Sequence, residues 1–379
     1  MIPPTVPDHP RLYLEQRWID LLRKEAPQAE KQGGLTPKQL QLFYKQGWFK
    51  ALVPQKYGGL EWSLSQVVSF EEAIGWAEGS AGWVFTLCSG AGWFGGYLDP
   101  RLAKSVFSSK KACLAGSGAI GGVAKSLEKG MWQISGQWQY ATGAPHGTCF
   151  TANVYVTAEK RVRAVILPVS AIKIEKNWQT IGLVASASES FSVAGYALSD
   201  SHFFDIDPDQ PVVRAPLYRM PFGALAEATI AANLSGMALH FMEEVVDLWE
   251  MKAAVRSPFS DQLANRPVWM QTALKAYKTH MRSWQQSRNK LFQSVHRLEN
   301  FVGIHMDTPN LLNNKGYQRA SNAVSRASQE LALCCRAAVN GLYPYTGLTG
   351  AHRHSAIGKV WRDFQTGSQH ALFIPKQGE

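Results

Sequence analysis

The chain has 379 residues, enough to bury a large core and to divide into two or three domains. Hydrophobic residues make up 45% of it and charged residues 18%, a balance that excludes a disordered protein. Its 39 Lys and Arg residues outnumber 29 Asp and Glu residues, which gives a net charge of +10. Because these cations are scattered instead of gathered on one helix or tail, we expect no nucleic-acid partner. The surplus suits either an anionic small molecule or an ordinary solvated surface.

Neither the N-terminus nor the cysteines point to a secreted or membrane protein. No apolar stretch free of charges approaches the roughly 18–20 residues that span a bilayer. The N-terminal residues lack the basic and then apolar order of a secretory signal. The five cysteines are sparse and have no CxxC spacing, so neither a zinc site nor a disulfide framework is expected. We therefore expect a cytoplasmic protein with no membrane partner and no metal site.

The first third of the chain predicts helices separated by turns. Residues 13–31 place apolar side chains on one face at helical spacing. Thr36 followed by Pro37 predicts the start of a second helix, because threonine caps helix N-termini and proline suits the first helical position. Residues 64–78 and 80–98 continue the helical pattern. The last segment is apolar on nearly all sides, so we expect it to be buried between other helices.

The pattern changes at Ala112. From there to about residue 212, short runs alternate apolar and polar residues between turn residues: MWQISGQWQYATG, FTANVYVTA, VRAVILPV, AIKIEKNW and SFSVAGYAL. Alternation with a period of two predicts strands of an antiparallel sheet or small barrel.

Helical spacing returns after Pro216 and persists through residues 222–254, 267–298, 315–343 and 355–373. Apolar residues three, four or seven apart in these segments predict the seam of a helical bundle. The sequence therefore predicts an α+β protein in three parts: an N-terminal helical domain (1–111), a central antiparallel β-barrel domain (112–212) and a C-terminal four-helix bundle (213–379).

Local motifs alone carry little chemistry. The glycines of AGSGAIGG, residues 115–122, would bring backbone amides close to a phosphate, but no strand–glycine–helix unit surrounds them. The chain has no HExxH, GxSxG or P-loop motif. The pattern of residues by itself leaves the function open.

Four segments, taken in order, resemble the acyl-CoA dehydrogenase superfamily across essentially the whole chain: VPQKYGG (53–59), QWQYATGAPH (137–146), NWQTIGLVASAS (177–188) and KVWRDFQTGSQH (359–370). The resemblance implies the acyl-CoA dehydrogenase-like fold, with FAD or FMN held between the β-domain and the C-terminal bundle. It also implies a homotetramer formed through the long C-terminal helices.

The same resemblance implies a set of flavin contacts. Tyr140 takes the position of an aromatic residue beside the isoalloxazine, and Thr142 that of a hydroxyl near the flavin N5 edge. Ser117 and Trp178 lie in segments that also face the flavin. Arg256 falls near a basic residue that reaches a flavin phosphate, often across a subunit boundary. The alternative is that these are ordinary strand residues and a solvated arginine.

The superfamily includes enzymes of two reaction types, dehydrogenases and monooxygenases. Acyl-CoA dehydrogenases take an α-proton with a carboxylate, and counting back from Asp363 puts His354 at the expected place. No Asp or Glu occurs between Glu330 and Asp363. A divergent acyl-CoA dehydrogenase that uses FAD on a CH–CH donor therefore remains an alternative, with histidine as its base.

The preferred reading is a reduced-flavin-dependent monooxygenase of a small aromatic or apolar substrate. GSAGWVFTLCSGAGWFGGYL (79–98), WxYxTGxxH and WRDFQTGSQH resemble two-component flavin monooxygenases, such as the oxygenase of 4-hydroxyphenylacetate 3-hydroxylase and dibenzothiophene monooxygenase. In these enzymes a separate flavin reductase supplies the reduced flavin, and the final helix ends in a histidine beside the ring. We therefore expect His370 as the catalytic acid or base, and His146 as a second candidate. For each of them the alternative is a buried histidine that only packs. Cys88 stands where several relatives have a histidine. A third reading is a fold relative that has lost catalysis.

Overall fold

The computed structural model describes residues 9–128, 130–254 and 268–374, and the N-terminal part of the chain is helical. The N-terminal helices are α1 (Gln16–Gln32), α2 (Pro37–Gln46), α3 (Leu64–Ala77), α4 (Gly79–Gly92) and α5 (Pro100–Val106). Thr36 caps α2 as predicted, because its side chain accepts from the backbone N–H of Gln39 while the Gln39 side chain accepts from that of Thr36.

Helix α4 is buried on nearly all sides, as its composition predicts. It ends at Gly92 instead of continuing to residue 98, and a short 3₁₀ turn follows at Trp93–Gly96. Gly90, Gly92, Gly95 and Gly96 explain this early end, since glycine disfavours a continued α-helix.

The middle of the chain forms one sheet of seven strands: β1 (Leu114–Glu128), β2 (Met131–Ala141), β3 (Cys149–Val156), β4 (Arg161–Pro168), β5 (Lys173–Glu175), β6 (Glu189–Ser199) and β7 (Phe203–Phe204). Their spatial order is β5-β6-β2-β1-β3-β4-β7. The mixed helix and sheet class is as predicted.

The predicted antiparallel barrel is wrong on two points. β5 and β7 lie at opposite edges and do not pair, so the sheet is open. β1 and β3 pair in parallel, because the chain reverses at residue 130 and again in the turn before Cys149. Period-two alternation predicts strands but does not determine their neighbours, and closure depends on those neighbours.

The C-terminal helices are α6 (Phe222–Ala254), α7 (Val268–Ile304), α8 (Lys315–Leu342), α9 (Leu348–Ala351) and α10 (Ala356–Gly367). Three of the four predicted helices are present with similar bounds. The fourth, predicted over 355–373, ends at Gly367, so His370 lies in the turn that follows α10 and not on the helix itself.

Helix α6 forms the centre of the molecule and packs against α3, α8 and α10. It contacts α3 so closely that a Cβ on Gly236 would lie 2.0 Å from the Glu72 carbonyl oxygen. By length and composition, the span Phe222–Lys252 would suffice to cross a membrane, but 78% of its most apolar window is buried inside the protein. It is therefore a core helix of the folded protein.

Candidate active site

An apolar cavity of about 240 Å³ lies between α4, the sheet and α6. Its apolar lining includes Leu87, Phe94, Phe204, Leu225 and Ile230, and its polar lining includes Thr86, Ser117, Thr142, Asn153 and Thr229. Two of the expected flavin contacts, Ser117 and Thr142, are thus brought together. We call this space the apolar cavity.

Thr142 follows an irregular end of β2. The register of β2 against β6 shifts between Trp138 and Ala141, and Tyr140 adopts a φ of +65°, which is rare for a residue other than glycine. Strain of this kind persists where surrounding structure holds it, and it concentrates at functional sites. The bulge leaves Tyr140 68% exposed, with its ring centroid 6.1 Å from that of Trp178 in an edge contact.

A chain of hydroxyls fixes the Thr142 side chain. Its Oγ1 lies 2.8 Å from the Ser188 Oγ, which lies 2.8 Å from the Ser186 Oγ. The Ser186 carbonyl accepts from the Gly143 N–H at 2.9 Å, so the turn is tied twice to the segment that precedes β6. One hydroxyl is therefore held at the cavity wall by neutral partners.

Cys88 lies behind this turn. It is fully buried, and its thiol donates to the Thr142 carbonyl at 3.4 Å. Gly143 approaches so closely that a Cβ there would lie 2.7 Å from the Cys88 Sγ. Where a larger histidine would need room, this chain has a thiol that packs against the turn at Thr142 and Gly143.

His146 lies in the 3₁₀ turn Ala144–His146, and it does not line the apolar cavity. Its Nε2 is buried, with no hydrogen-bond partner in the part of the chain that the structure describes. Burial lowers the pKa of His146 to about 4. It is therefore a neutral imidazole at physiological pH, and its catalytic role stays a prediction.

His370 caps the 3₁₀ turn Ala371–Phe373, where its Nδ1 accepts from the Leu372 N–H at 3.3 Å. Its ring lies against Trp83 of α4, with 6.0 Å between ring centroids, and burial lowers its pKa. The same helix carries Thr86 and Leu87 of the apolar cavity one turn later. His370 thus stays neutral at physiological pH and lies next to a helix that builds the cavity.

Helix α10 is anchored to the segment after β5. The Asp363 carboxylate accepts from the Leu183 N–H at 2.6 Å, and the Trp178 indole donates to the Leu183 carbonyl at 2.9 Å. A Cβ on Gly182 would lie 2.1 Å from the Arg362 carbonyl carbon. Backbone therefore meets backbone here, which fixes the distance between α10 and the sheet.

His354, the alternative base, lies elsewhere. It is exposed and lines a second, larger cavity with Arg353, Lys359 and Asp363. Arg256 falls outside the described residues. The structure therefore groups Ser117 with Thr142 and Tyr140 with Trp178, but it does not bring His354 to the apolar cavity.

Sequence reasoning missed several residues of the cavity wall, among them Thr86, Asn153 and Thr229. The spacing of Thr86 and Gly90, four apart on a predicted helix, was a signal for one shared face. Asn153 interrupts the apolar positions of FTANVYVTA, and its side chain donates to the Gly118 carbonyl at 2.8 Å. The spacing within one segment cannot show that these three elements meet.

The residues present fit part of a flavin. Gly90 and Gly118 border the cavity where an added Cβ would meet no atom within 4 Å, so a flat ring could approach the backbone. Apolar walls and one fixed hydroxyl suit an isoalloxazine, which is apolar with one polar edge. The volume of about 240 Å³ lies below the roughly 300–1,000 Å³ of common ligand pockets, so this cavity would cover only part of a flavin and a substrate together.

No protein-family model matches the chain. It is similar to an indole-3-acetate monooxygenase of Pseudomonas putida, at 24% identity over 357 residues that cover 92% of this chain and 87% of the relative. It is also similar to the oxygenase subunit HsaA of a flavin-dependent monooxygenase from Mycobacterium tuberculosis, at 21% identity over 87% of this chain and 83% of the relative.

Solved structures give the same fold. The 3-HSA hydroxylase of Rhodococcus sp. RHA1 matches with a TM-score of 0.84 and 17% identity, over 97% of this chain and 94% of that one. XiaF from Streptomyces sp., in complex with FADH2 and glycerol, matches with a TM-score of 0.79 and 17% identity, over 96% and 93%. The dibenzothiophene monooxygenase TdsC of Paenibacillus sp. A11-2, with FMN and indole, matches at 0.76 and 16%, over 97% and 94%.

These likenesses confirm the resemblance inferred from the four sequence segments. By sequence and by fold, the chain is a relative of the oxygenase subunits of flavin-dependent monooxygenases, within the acyl-CoA dehydrogenase-like fold.

Proposed function

We propose that the protein is the oxygenase component of a two-component flavin-dependent monooxygenase. It takes reduced FMN or FAD from a separate reductase and uses dioxygen to hydroxylate a small aromatic or apolar substrate. The observation that carries this proposal is the similarity to named monooxygenases over 92% of the chain. The apolar cavity with its hydrogen-bonded hydroxyl at Thr142 supports it, because a neutral ring needs no charged partner.

When bound, the flavin would supply the redox and oxygen chemistry. Thr142 and Ser117 would hold its polar edge, and Tyr140 with Trp178 would cover the ring from the exposed side of the sheet. His370 would hold or move a proton at its free Nε2, since its Nδ1 already accepts from the Leu372 N–H. Trp83 and the burial of the imidazole would exclude water around that proton.

The test replaces two histidines in turn. His370→Ala should bind reduced FMN or FAD within a few-fold of wild type but form product about 10²–10⁴-fold more slowly, and release more hydrogen peroxide per flavin oxidised. His354→Ala is the matched control, since this exposed imidazole lies in the other cavity. If His354→Ala lost the activity and His370→Ala kept it, the assignment would be reversed.

The two alternative functions predict different changes in the absorbance of the flavin. A divergent acyl-CoA dehydrogenase would bleach its bound FAD when mixed anaerobically with an acyl-CoA thioester, and His354→Ala would abolish the bleaching. A non-catalytic relative would bind neither oxidised nor reduced flavin. We expect no bleaching and tighter binding of reduced than of oxidised flavin in anaerobic titrations.

We further propose the division into domains 1–111, 112–212 and 213–379, a homotetramer and a cytoplasmic location. The division is supported by the elements, since α5 ends at Val106 before β1, and β7 ends at Phe204 before α6. The tetramer is supported by the length of the helices α6, α7 and α8. In this assembly one subunit would complete the flavin site of another. Light scattering that gave a monomer with full flavin affinity would contradict the assembly.

A further inference from the structure

Cys88 lies on the part of α4 that borders the apolar cavity. Thr86, Leu87 and Gly90 of the same helix line that cavity, and Cys88 is not among its lining residues. Successive residues of a helix point in directions roughly 100° apart, so the thiol leaves α4 beside the cavity and not into it. It donates at 3.4 Å to the carbonyl of Thr142, which follows β2. Cys88 therefore joins two walls of the cavity from outside.

The contact between the thiol and the turn is tight. Gly143 adopts a φ of +71°, a left-handed conformation that favours glycine. A Cβ at this position would lie 2.7 Å from the Cys88 Sγ, closer than the 3.0 Å that Cβ atoms keep from other heavy atoms. The sulfur of Cys88 thus determines how near the turn can come to α4.

The sulfur is itself held in place. Cys88 is fully buried, and its side chain hydrogen-bonds with that of Cys113, just before β1. Because the Cys88 proton goes to the Thr142 carbonyl, Cys113 is the donor in this pair of thiols. The backbone of Cys113 is fixed in turn, since its N–H donates to the Thr148 Oγ1 at 3.1 Å and its carbonyl accepts from the Thr148 N–H at 2.8 Å. Cys88 therefore has a partner on each side.

Two other bonds hold the same turn from a different direction. The Thr142 Oγ1 lies 2.8 Å from the Ser188 Oγ, and the Gly143 N–H donates to the Ser186 carbonyl at 2.9 Å. Both lead to the segment before β6 and fix the turn against the sheet. The bond from Cys88 leads to α4 and fixes the turn against the helix. The position of the Thr142 hydroxyl relative to the α4 wall thus depends on Cys88.

We propose that Cys88 is a positioning residue of the site. Its thiol holds the turn at Thr142 and Gly143 at a set distance from α4, and so places the Thr142 hydroxyl for the flavin. The inference rests on the proposed function, since the flavin is the ligand that Thr142 is proposed to hold. Cys88 acts through Thr142 and not by contact with the ligand.

The test measures the affinity for reduced FMN and FAD in anaerobic titrations of full-length variants. Cys88→Ala removes the donor to Thr142 and should weaken binding about 2–10-fold, the loss expected for one neutral hydrogen bond. Cys88→Ser keeps a small donor and should bind within about twofold of wild type. Cys335→Ala is the matched control, because Cys335 is a fully buried thiol of α8 that lines neither cavity, and it should bind as wild type does.

A double variant tests whether Cys88 acts through the Thr142 hydroxyl. Cys88→Ala should weaken binding in the wild-type background but have little further effect in Thr142→Val, because the hydroxyl that Cys88 positions is already gone. Wild-type affinity of Cys88→Ala, or losses that simply add in the double variant, would overturn the proposal.

Hydrogen exchange without flavin separates this inference from the proposed function. The Gly143 N–H should exchange faster in Cys88→Ala than in wild type or in Cys335→Ala, because the turn has lost its contact with α4. Wild-type protein that bound no reduced flavin would overturn both proposals. Normal binding by wild type, with unchanged exchange and affinity in Cys88→Ala, would overturn the role of Cys88 alone.

Gly143→Ala replaces Cys88→Ala if that variant does not fold. Its Cβ would crowd the Cys88 Sγ from the opposite side and displace the turn, so reduced flavin should bind about tenfold more weakly. Unchanged affinity in Gly143→Ala would show that the spacing between the turn and α4 does not matter for the flavin, which would overturn the proposal.

Discussion

The apolar cavity and the larger cavity lined by His354, Lys359 and Asp363, here the charged cavity, both border α4 and α6. Their walls contain different kinds of polar group. The N-terminal half of α6 and the middle of α4 face the apolar cavity, while the C-terminal half of α6 and Gly79 of α4 face the charged one. The first contains neutral hydroxyls that bond one another, and the second contains ion pairs. Because a buried charge needs a partner and a hydroxyl needs only a neighbour, the two cavities differ in the polar groups that their walls can bury.

The largest expected effect comes from removing the lysine that pairs with two buried carboxylates of the charged cavity. Lys359→Ala leaves the Glu78 and Asp363 carboxylates buried together, and removing one partner of such a pair costs about 3–5 kcal/mol of the free energy of unfolding. Burial already raises the pKa of Asp363, and without Lys359 this acid should take up a proton more readily.

Urea denaturation of Lys359→Ala at two pH values checks this. Asp363 binds a proton at a higher pH in the folded state than in the unfolded state, so the loss of stability should be largest near neutral pH and should shrink as pH falls. Lys38→Ala, which breaks the exposed pair with Glu25, should change little at either pH. An equal loss of stability in both variants would contradict the idea that burial determines how much an ion pair contributes to the free energy of unfolding.

The second prediction concerns the acid sensitivity of the wall behind the apolar cavity. In the unfolded chain His146 gains a proton near pH 6.5, whereas in the folded chain its pKa is about 4. Stability that is present above pH 6.5 is therefore lost as pH falls towards 4, by up to about 3 kcal/mol. His146→Phe should remove this part of the pH dependence in thermal or urea unfolding. The same pH dependence in His146→Phe and in wild type would contradict this assignment.

The smallest expected effect tests whether the hydroxyl of Thr142 contacts the flavin. Thr142→Val removes one hydroxyl from the apolar cavity, and the loss of one neutral hydrogen bond, about 0.5–1.5 kcal/mol, should weaken the binding of reduced flavin roughly 2–10-fold. Ser188→Ala removes the partner of Thr142 but not the cavity hydroxyl, so it should weaken binding less. If both variants bound reduced flavin as tightly as wild type in anaerobic titration, Thr142 would be a wall residue without a flavin contact.

Much of the fold followed from local pattern. The capping residue Thr36 and the run at 222–254 predicted helix bounds well, because caps and helical periodicity act over a few residues. The sheet was predicted as strands but not as an open sheet, since strand neighbours are set by contacts far apart in sequence. The end of the last helix was missed, although α10 ends at Gly367 and glycine disfavours a continued α-helix.

The site was predictable only through resemblance. The segments around Thr142 and His370 indicated the family, and the comparisons confirmed it. The individual roles of His370, His146, Tyr140 and Thr142 stay predictions. The larger cavity had no signal in the sequence, since its walls come from segments as far apart as α1 and residues 353–363.

The close contact at Gly182 has a consequence for engineering. Since the backbone of Gly182 touches that of Arg362, any side chain at 182 would push α10 away from the sheet and carry His370 with it. This joint should tolerate almost no variation in a saturation library. Leu87, Phe94 and Leu225 line the apolar cavity without taking part in that joint, so randomising them offers a route to new substrates while the frame stays intact.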